Sequence, residues 1–77
     1  MVQVEQHLDV RGLEPPMPMI RILDTLEILP QMDSLQVTLS REPYPLYALL
    51  RQMDFVWETH RSGPDVVVRI WHAKRRQ

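Results

Sequence analysis

Leu8-Asp9-Val10-Arg11-Gly12-Leu13-Glu14-Pro15-Pro16-Met17-Pro18-Met19 changes its periodicity halfway along. Upstream, Val4, Leu8 and Val10 alternate with Glu5, His7 and Asp9, the pattern of a half-buried strand over Val4 to Val10, with Gln6 interrupting the apolar side. Downstream, Met19, Ile22, Leu23, Leu26 and Leu29 fall on one face of a helix over Pro16 to Leu29, with Arg21, Asp24, Thr25 and Glu27 on its wet side. Between them Gly12 stands where the chain must turn sharply, and glycine tolerates the positive φ such a turn demands. Pro18 suits a first helical turn, where its missing N–H has no intrahelical partner anyway. Pro30 ends the helix by pushing the residue before it out of the α region.

The rest of the chain repeats this strand-then-helix scheme and closes with a hairpin. Ser34 to Ser40 alternates, with Leu35, Val37 and Leu39 on the apolar side. Arg41-Glu42-Pro43 is a loop, and a second helix runs from Pro45 to Met53 on the stripe Leu46, Leu49, Leu50 and Met53. Phe55, Trp57 and Thr59 alternate with Val56, Glu58 and His60. Val66, Val68 and Ile70 alternate with Val67, Arg69 and Trp71. The turn residues Arg61 to Asp65 join these two strands into a hairpin. The order is β-α-β-α-β-β, an α/β (α+β) two-layer sandwich. A strand–helix–strand unit favours a right-handed parallel crossover, and two short helices cover only one face of a four-stranded sheet. The expected core is Leu8, Ile22, Leu23, Leu26, Val37, Leu39, Leu46, Leu49, Leu50, Phe55, Trp57, Val66, Val68 and Ile70.

Seventy-seven residues support one domain, residues 1–77, with 73–77 expected to fray and His72 grouped with that polar tail. A 44% hydrophobic content suits a folded chain. There is no cysteine, which excludes disulfides and thiolate metal sites. No apolar run approaches the ~20 residues of a membrane span, and the N-terminus lacks a charged-then-apolar leader. The expected location is therefore cytoplasmic. A net charge of -1 argues against a large nucleic-acid footprint.

The pattern Leu8-Asp9-x-x-Gly12-Leu13-x-x-Pro16-x-Pro18 resembles the signature of the TusA/SirA-like family. A second signature, Arg41-Glu42-Pro43-Tyr44-Pro45-Leu46-Tyr47 followed by Phe55-x-Trp57-Glu58, is similar to a cysteine-less relative, domain of unknown function 2249. The resemblance covers about Leu8 to Ile70. It implies a fold like the C-terminal domain of translation initiation factor three, with a mixed sheet in the order 1-2-4-3. In the sulfur-carrier members a cysteine bearing a persulfide directly precedes the first proline of the Pro-x-Pro pair. Here that position is Pro15. A persulfide carrier needs a thiolate as nucleophile and acceptor, and proline supplies neither. Sulfur transfer by that mechanism is therefore excluded, and the fold does not bring its function with it.

With strands 1 and 2 parallel, the loops after them open at one edge of the sheet, beside two helix N-termini. Arg11, Gly12, Glu14, Arg41, Glu42, Tyr44 and Tyr47 gather there as candidates for holding a small anion or an acidic group of a partner. The competing reading pairs Arg11 and Arg41 with Glu14 and Glu42 as ordinary surface ion pairs. No metal or other cofactor is expected. His7 and His60 share the uncovered face, but the order 1-2-4-3 sets them three strand spacings apart, ~14 Å, too far to share one ion. Met17 and Met19 are assigned to helix-end packing. Ser34, Ser40 and Ser62 lie in separate turns without a base, and no catalytic constellation appears, so no enzyme is expected. On the uncovered face Val56, Val67, Arg69 and Trp71 form a candidate docking surface for another protein or a second copy. Lys74-Arg75-Arg76 beside Trp71 is the one feature favouring RNA, and a solvated tail accounts for it as well. The sequence points to a small non-enzymatic interaction or regulatory module, with small-ligand binding at the Gly12 and Tyr44 loops as the alternative.

Overall fold

The structure, a computed structural model, describes residues 3–74. It contains β1 (Glu5–Asp9), α1 (Met17–Glu27), β2 (Ser34–Leu39), α2 (Tyr44–Gln52), β3 (Phe55–Ser62) and β4 (Asp65–His72). The strands form one sheet in the order β1-β2-β4-β3. β1 runs parallel to β2, with Leu8 beside Val37, while β4 is antiparallel to both β2 and β3. This is the expected order and mixture of directions.

One parity of each strand faces the helices. Leu35, Val37 and Leu39 from β2, Val66, Val68 and Ile70 from β4, and Phe55 from β3 join Ile22 and Leu26 of α1 and Leu46 and Leu50 of α2 in a single core. Val10 and Leu29 complete it, and Leu8, Met19, Leu23, Tyr47 and Trp57 pack against it half-buried. Burying a Leu, Ile or Val side chain contributes about 1.5–3 kcal/mol each, so these thirteen residues are the main source of stability.

Local chemistry sets the ends of the elements. Pro16 caps α1 and Pro43 caps α2, so α1 starts one residue after its expected position and α2 one residue before. Asp33 is buried before β2 and accepts from the Val4 backbone N–H and the Gln6 amide, each at 3.2 Å. That clamp explains how the polar Gln6 is accommodated on the helix-facing side of β1. The expected five-residue turn shrinks to Gly63-Pro64, because β3 continues to Ser62 and β4 begins at Asp65. Gly63 has φ 60 and proline cannot follow it into positive φ, the combination of a type II′ hairpin turn.

Leu49, expected in the core, is half-buried and lies outside it, and two further expectations fail. His72 does not belong to a frayed tail. It ends β4, its Nε2 lies 2.9 Å from the Leu29 carbonyl, and its ring packs on Phe55 at 4.6 Å between centroids. The next two residues are also held: the Ala73 N–H donates to the Asp54 carbonyl at 2.8 Å, and the Gln31 amide donates to the Lys74 carbonyl. Residues 75–77 of the expected tail, and with them Arg75 and Arg76, lie outside the described residues. Val67 was expected to be exposed on the open face but is only 7% exposed. Its parity is as expected, but β4 is an interior strand, and Val67 sits between Thr38 and His60 on its neighbours.

Candidate functional site

β1 and β2 end at the same edge of the sheet, and each is followed by a short loop into a proline-capped helix. The two loops diverge around a cleft of about 560 Å³. Val10, Met19, Ile22, Leu39 and Leu46 form its apolar floor. Leu13, Pro15, Pro16, Pro18, Pro43 and Pro45 form its walls, so ring carbons replace the N–H groups that would otherwise line a helix-end site. Gly12, with φ 80, makes the turn that swings the first wall away from β1. Its Cβ position faces open space, so the backbone angle and not crowding selects glycine.

The polar groups sit at the mouth. Glu14, Ser40, Arg41 and Glu42 all line it. Glu42 accepts a hydrogen bond from the Tyr47 hydroxyl at 3.1 Å. Glu14 and Arg41 are exposed, and neither side chain enters an ion pair among the described residues. Expected pairing of Arg41 with the nearby acids is therefore absent there, and the apolar cleft carries one guanidinium and two carboxylates at its rim without an ion-pair partner, Glu42 having only its Tyr47 hydrogen bond. The helix N-termini add little. Met17 N–H donates to the Glu14 carbonyl, Leu46 N–H to the Pro43 carbonyl, and Pro18 and Pro45 have no N–H.

Of the seven loop candidates, the structure brings Gly12, Glu14, Arg41 and Glu42 to the cleft and leaves three outside it. Arg11 turns to the opposite side of the sheet. Its guanidinium grips Asp9 at 2.7 Å and Asp65 at 2.9 Å. Hydrogen bonds from the Arg11 side chain, and then from its backbone N–H, lower the Asp9 carboxyl to about 2. Tyr44 is 69% exposed and meets Tyr47 edge-on at 6.1 Å. Tyr47 is half-buried, stacks on Trp57 at 5.1 Å, and shares a 2.7 Å hydrogen bond with Thr59. Burial raises the Tyr47 phenol above its ordinary range, with Glu42 acting the same way and the Thr59 bond opposing it. Tyr47 is thus a buttress between α2 and β3.

Sequence reasoning missed the apolar lining, because Leu13 was given no role and the prolines were read as loop and helix-start residues. The available signal was that five prolines and Leu13 bracket the two loops that parallel strands bring together.

The open face carries ionic ladders in place of a continuous apolar patch. Arg69 reaches Glu5 at 2.7 Å and Glu58 at 3.3 Å, and its guanidinium carbon lies 6.0 Å from the centroid of the Trp71 ring. Trp71 is half-buried, and Val56, opposite it in register, is 37% exposed. With Val67 buried, the apolar part of the expected docking face shrinks to Val56 and Trp71 at one end of the sheet. His7 and His60 lie on the edge strands β1 and β3, and no cluster of potential metal ligands occurs among the described residues. Among the described residues no helix is long and apolar enough to cross a membrane.

No curated protein and no solved structure matches the chain. Residues 7–74 match the family described as Uncharacterized conserved protein (DUF2249), and the chain belongs to that family.

Proposed function

We propose that this chain is a non-enzymatic binding module whose cleft holds a small molecule with an apolar body and a head carrying both charges, such as an amino acid with a large apolar side chain. The observation that carries this reading is the apolar cleft with Glu14 and Arg41 unpaired at its rim. About 560 Å³ falls inside the range of roughly 300–1,000 Å³ typical of small-ligand sites. The apolar floor would gain from burying hydrocarbon. Arg41 would take a carboxylate through its fork of donors, and Glu14 an ammonium. A ligand with one charge would engage only one of Arg41 and Glu14.

The likeness of Leu8 to Pro18 to the TusA/SirA-like sulfur carriers fits a module that presents its first loop to something else. The chain contains no cysteine, so it has no thiol to carry a persulfide. Binding without covalent chemistry is what remains for the same corner of the fold.

The test is an isothermal titration with L-tryptophan, indole-3-propionate, tryptamine and 3-methylindole. The reading expects L-tryptophan to bind at least several-fold more tightly than the other three. Glu14→Gln should reduce it towards indole-3-propionate, and Arg41→Gln towards tryptamine. Equal binding of all four would discard the charged rim and keep the apolar cleft. No binding of any at millimolar concentration would discard the site.

A further inference from the structure

We propose that β3 is a self-pairing edge and that two copies of this chain join antiparallel through it, making one continuous eight-stranded sheet.

β3 is eight residues long and lies at the end of the strand order, so only β4 pairs with it among the described residues. Every second residue of such a strand directs its N–H and C=O away from the sheet, and such a row is a template for another strand. The opposite edge, β1, offers five residues. β3 contributes no residue to the cleft, so this inference is independent of what the cleft binds.

The side chains of β3 favour one register. The strand reads Phe55-Val56-Trp57-Glu58-Thr59-His60-Arg61-Ser62. If a two-fold axis passes through Thr59, with both helical layers on the same side, Glu58 of each copy lies opposite His60 of the other. Both residues are exposed on the open face. On the helical side Trp57 then lies opposite Arg61 of the second copy, but its ring already stacks on Tyr47 and carries the Arg51 guanidinium at 5.6 Å, so the register is decided on the open face. Moving the axis to Glu58 sets two carboxylates against each other. Moving it to His60 sets histidine against histidine and takes Glu58 away from its counterpart. Like charges set opposite each other oppose an antiparallel pair, whereas a His60 ring N–H can donate to the Glu58 carboxylate, so the Thr59 register wins. A two-fold interface repeats each contact, and both Glu–His couples form together. Glu58 keeps capacity for this role, because its contact with Arg69 uses one carboxylate oxygen at 3.3 Å.

Sedimentation equilibrium on the full chain, from 10 µM to 1 mM, tests it with four proteins. The unaltered chain should show a monomer–dimer equilibrium within that range. Glu58→Lys and His60→Glu should each weaken the dimer roughly tenfold, since either change spoils both symmetric couples. The double variant E58K/H60E sets opposite charges across the seam and should recover most of the loss. Circular dichroism establishes that each variant is folded, as expected for exposed positions. A chain that stays monomeric at 1 mM overturns the proposal. So does a dimer indifferent to both single changes, or a double variant as weak as the weaker single one.

Discussion

Leu46→Ala and Leu50→Ala should differ in cost, although both leucines are 0% exposed and both lie on the inner stripe of α2. Truncating a buried leucine removes its transfer free energy and adds a penalty for the cavity left behind, about 2–5 kcal/mol together. The second part depends on whether the void stays closed. Leu46 lines the cleft, so its void would open into space that water already reaches. Leu50 does not line the cleft, and its void would be enclosed by the core. Leu46→Ala should therefore fall near the low end, about 2–3 kcal/mol, and Leu50→Ala higher, about 3–5 kcal/mol. A 77-residue domain has roughly 4–11 kcal/mol of stability in total, so both variants are measurable and Leu50→Ala approaches unfolding. Urea denaturation followed by circular dichroism measures both, with unchanged m-values as the sign that only stability moved. Leu46→Ala costing as much as Leu50→Ala, or either costing under about 1 kcal/mol, would refute the placement of the cleft above Leu46.

Two further outcomes follow from local geometry. Asp54 has φ 63, a conformation that strains an L side chain by about 1–2 kcal/mol. Asp54→Gly removes that strain at the cost of glycine's greater unfolded freedom, for a net gain of roughly 0.5 kcal/mol in a urea titration; a loss would mean that the aspartate side chain stabilises the turn. The Asp9 carboxyl is held down to about 2 from 3.8 in the folded state. Its contribution is therefore fully present above pH 3.8 and is lost as pH falls through about 2. Arg11→Ala should abolish that part of the acid dependence of stability. An unchanged acid limb would show that the Asp9–Arg11 contact does not persist in solution.

Where periodicity was strong, the elements were legible in the sequence. α1 and α2 follow from their stripes and prolines, and β2 and β4 from alternation. The order 1-2-4-3 came from resemblance, because alternation identifies strands but not their neighbours. Val67 shows the consequence: the same parity is exposed on an edge strand and buried on an interior one. His72 looked like tail because its side chain is polar, yet its hydrogen-bond partner is a backbone carbonyl 43 residues away. Arg11 was assigned to the loop site, but its second carboxylate, Asp65, is 54 residues distant and reaches it only once the sheet has formed. The cleft was half legible. Gly12, Glu14, Arg41 and Glu42 were placed at the correct edge, but the prolines were counted as turn formers and lost donors, when they also supply its apolar walls.

The most direct test of the central claim is a chemical-shift map of the isotope-labelled protein titrated with L-tryptophan. The account predicts saturable shifts at Val10, Gly12, Leu39, Ser40 and Leu46, with Arg69 and Trp71 on the open face unmoved. Shifts centred on the open face, or none at millimolar ligand, would contradict it.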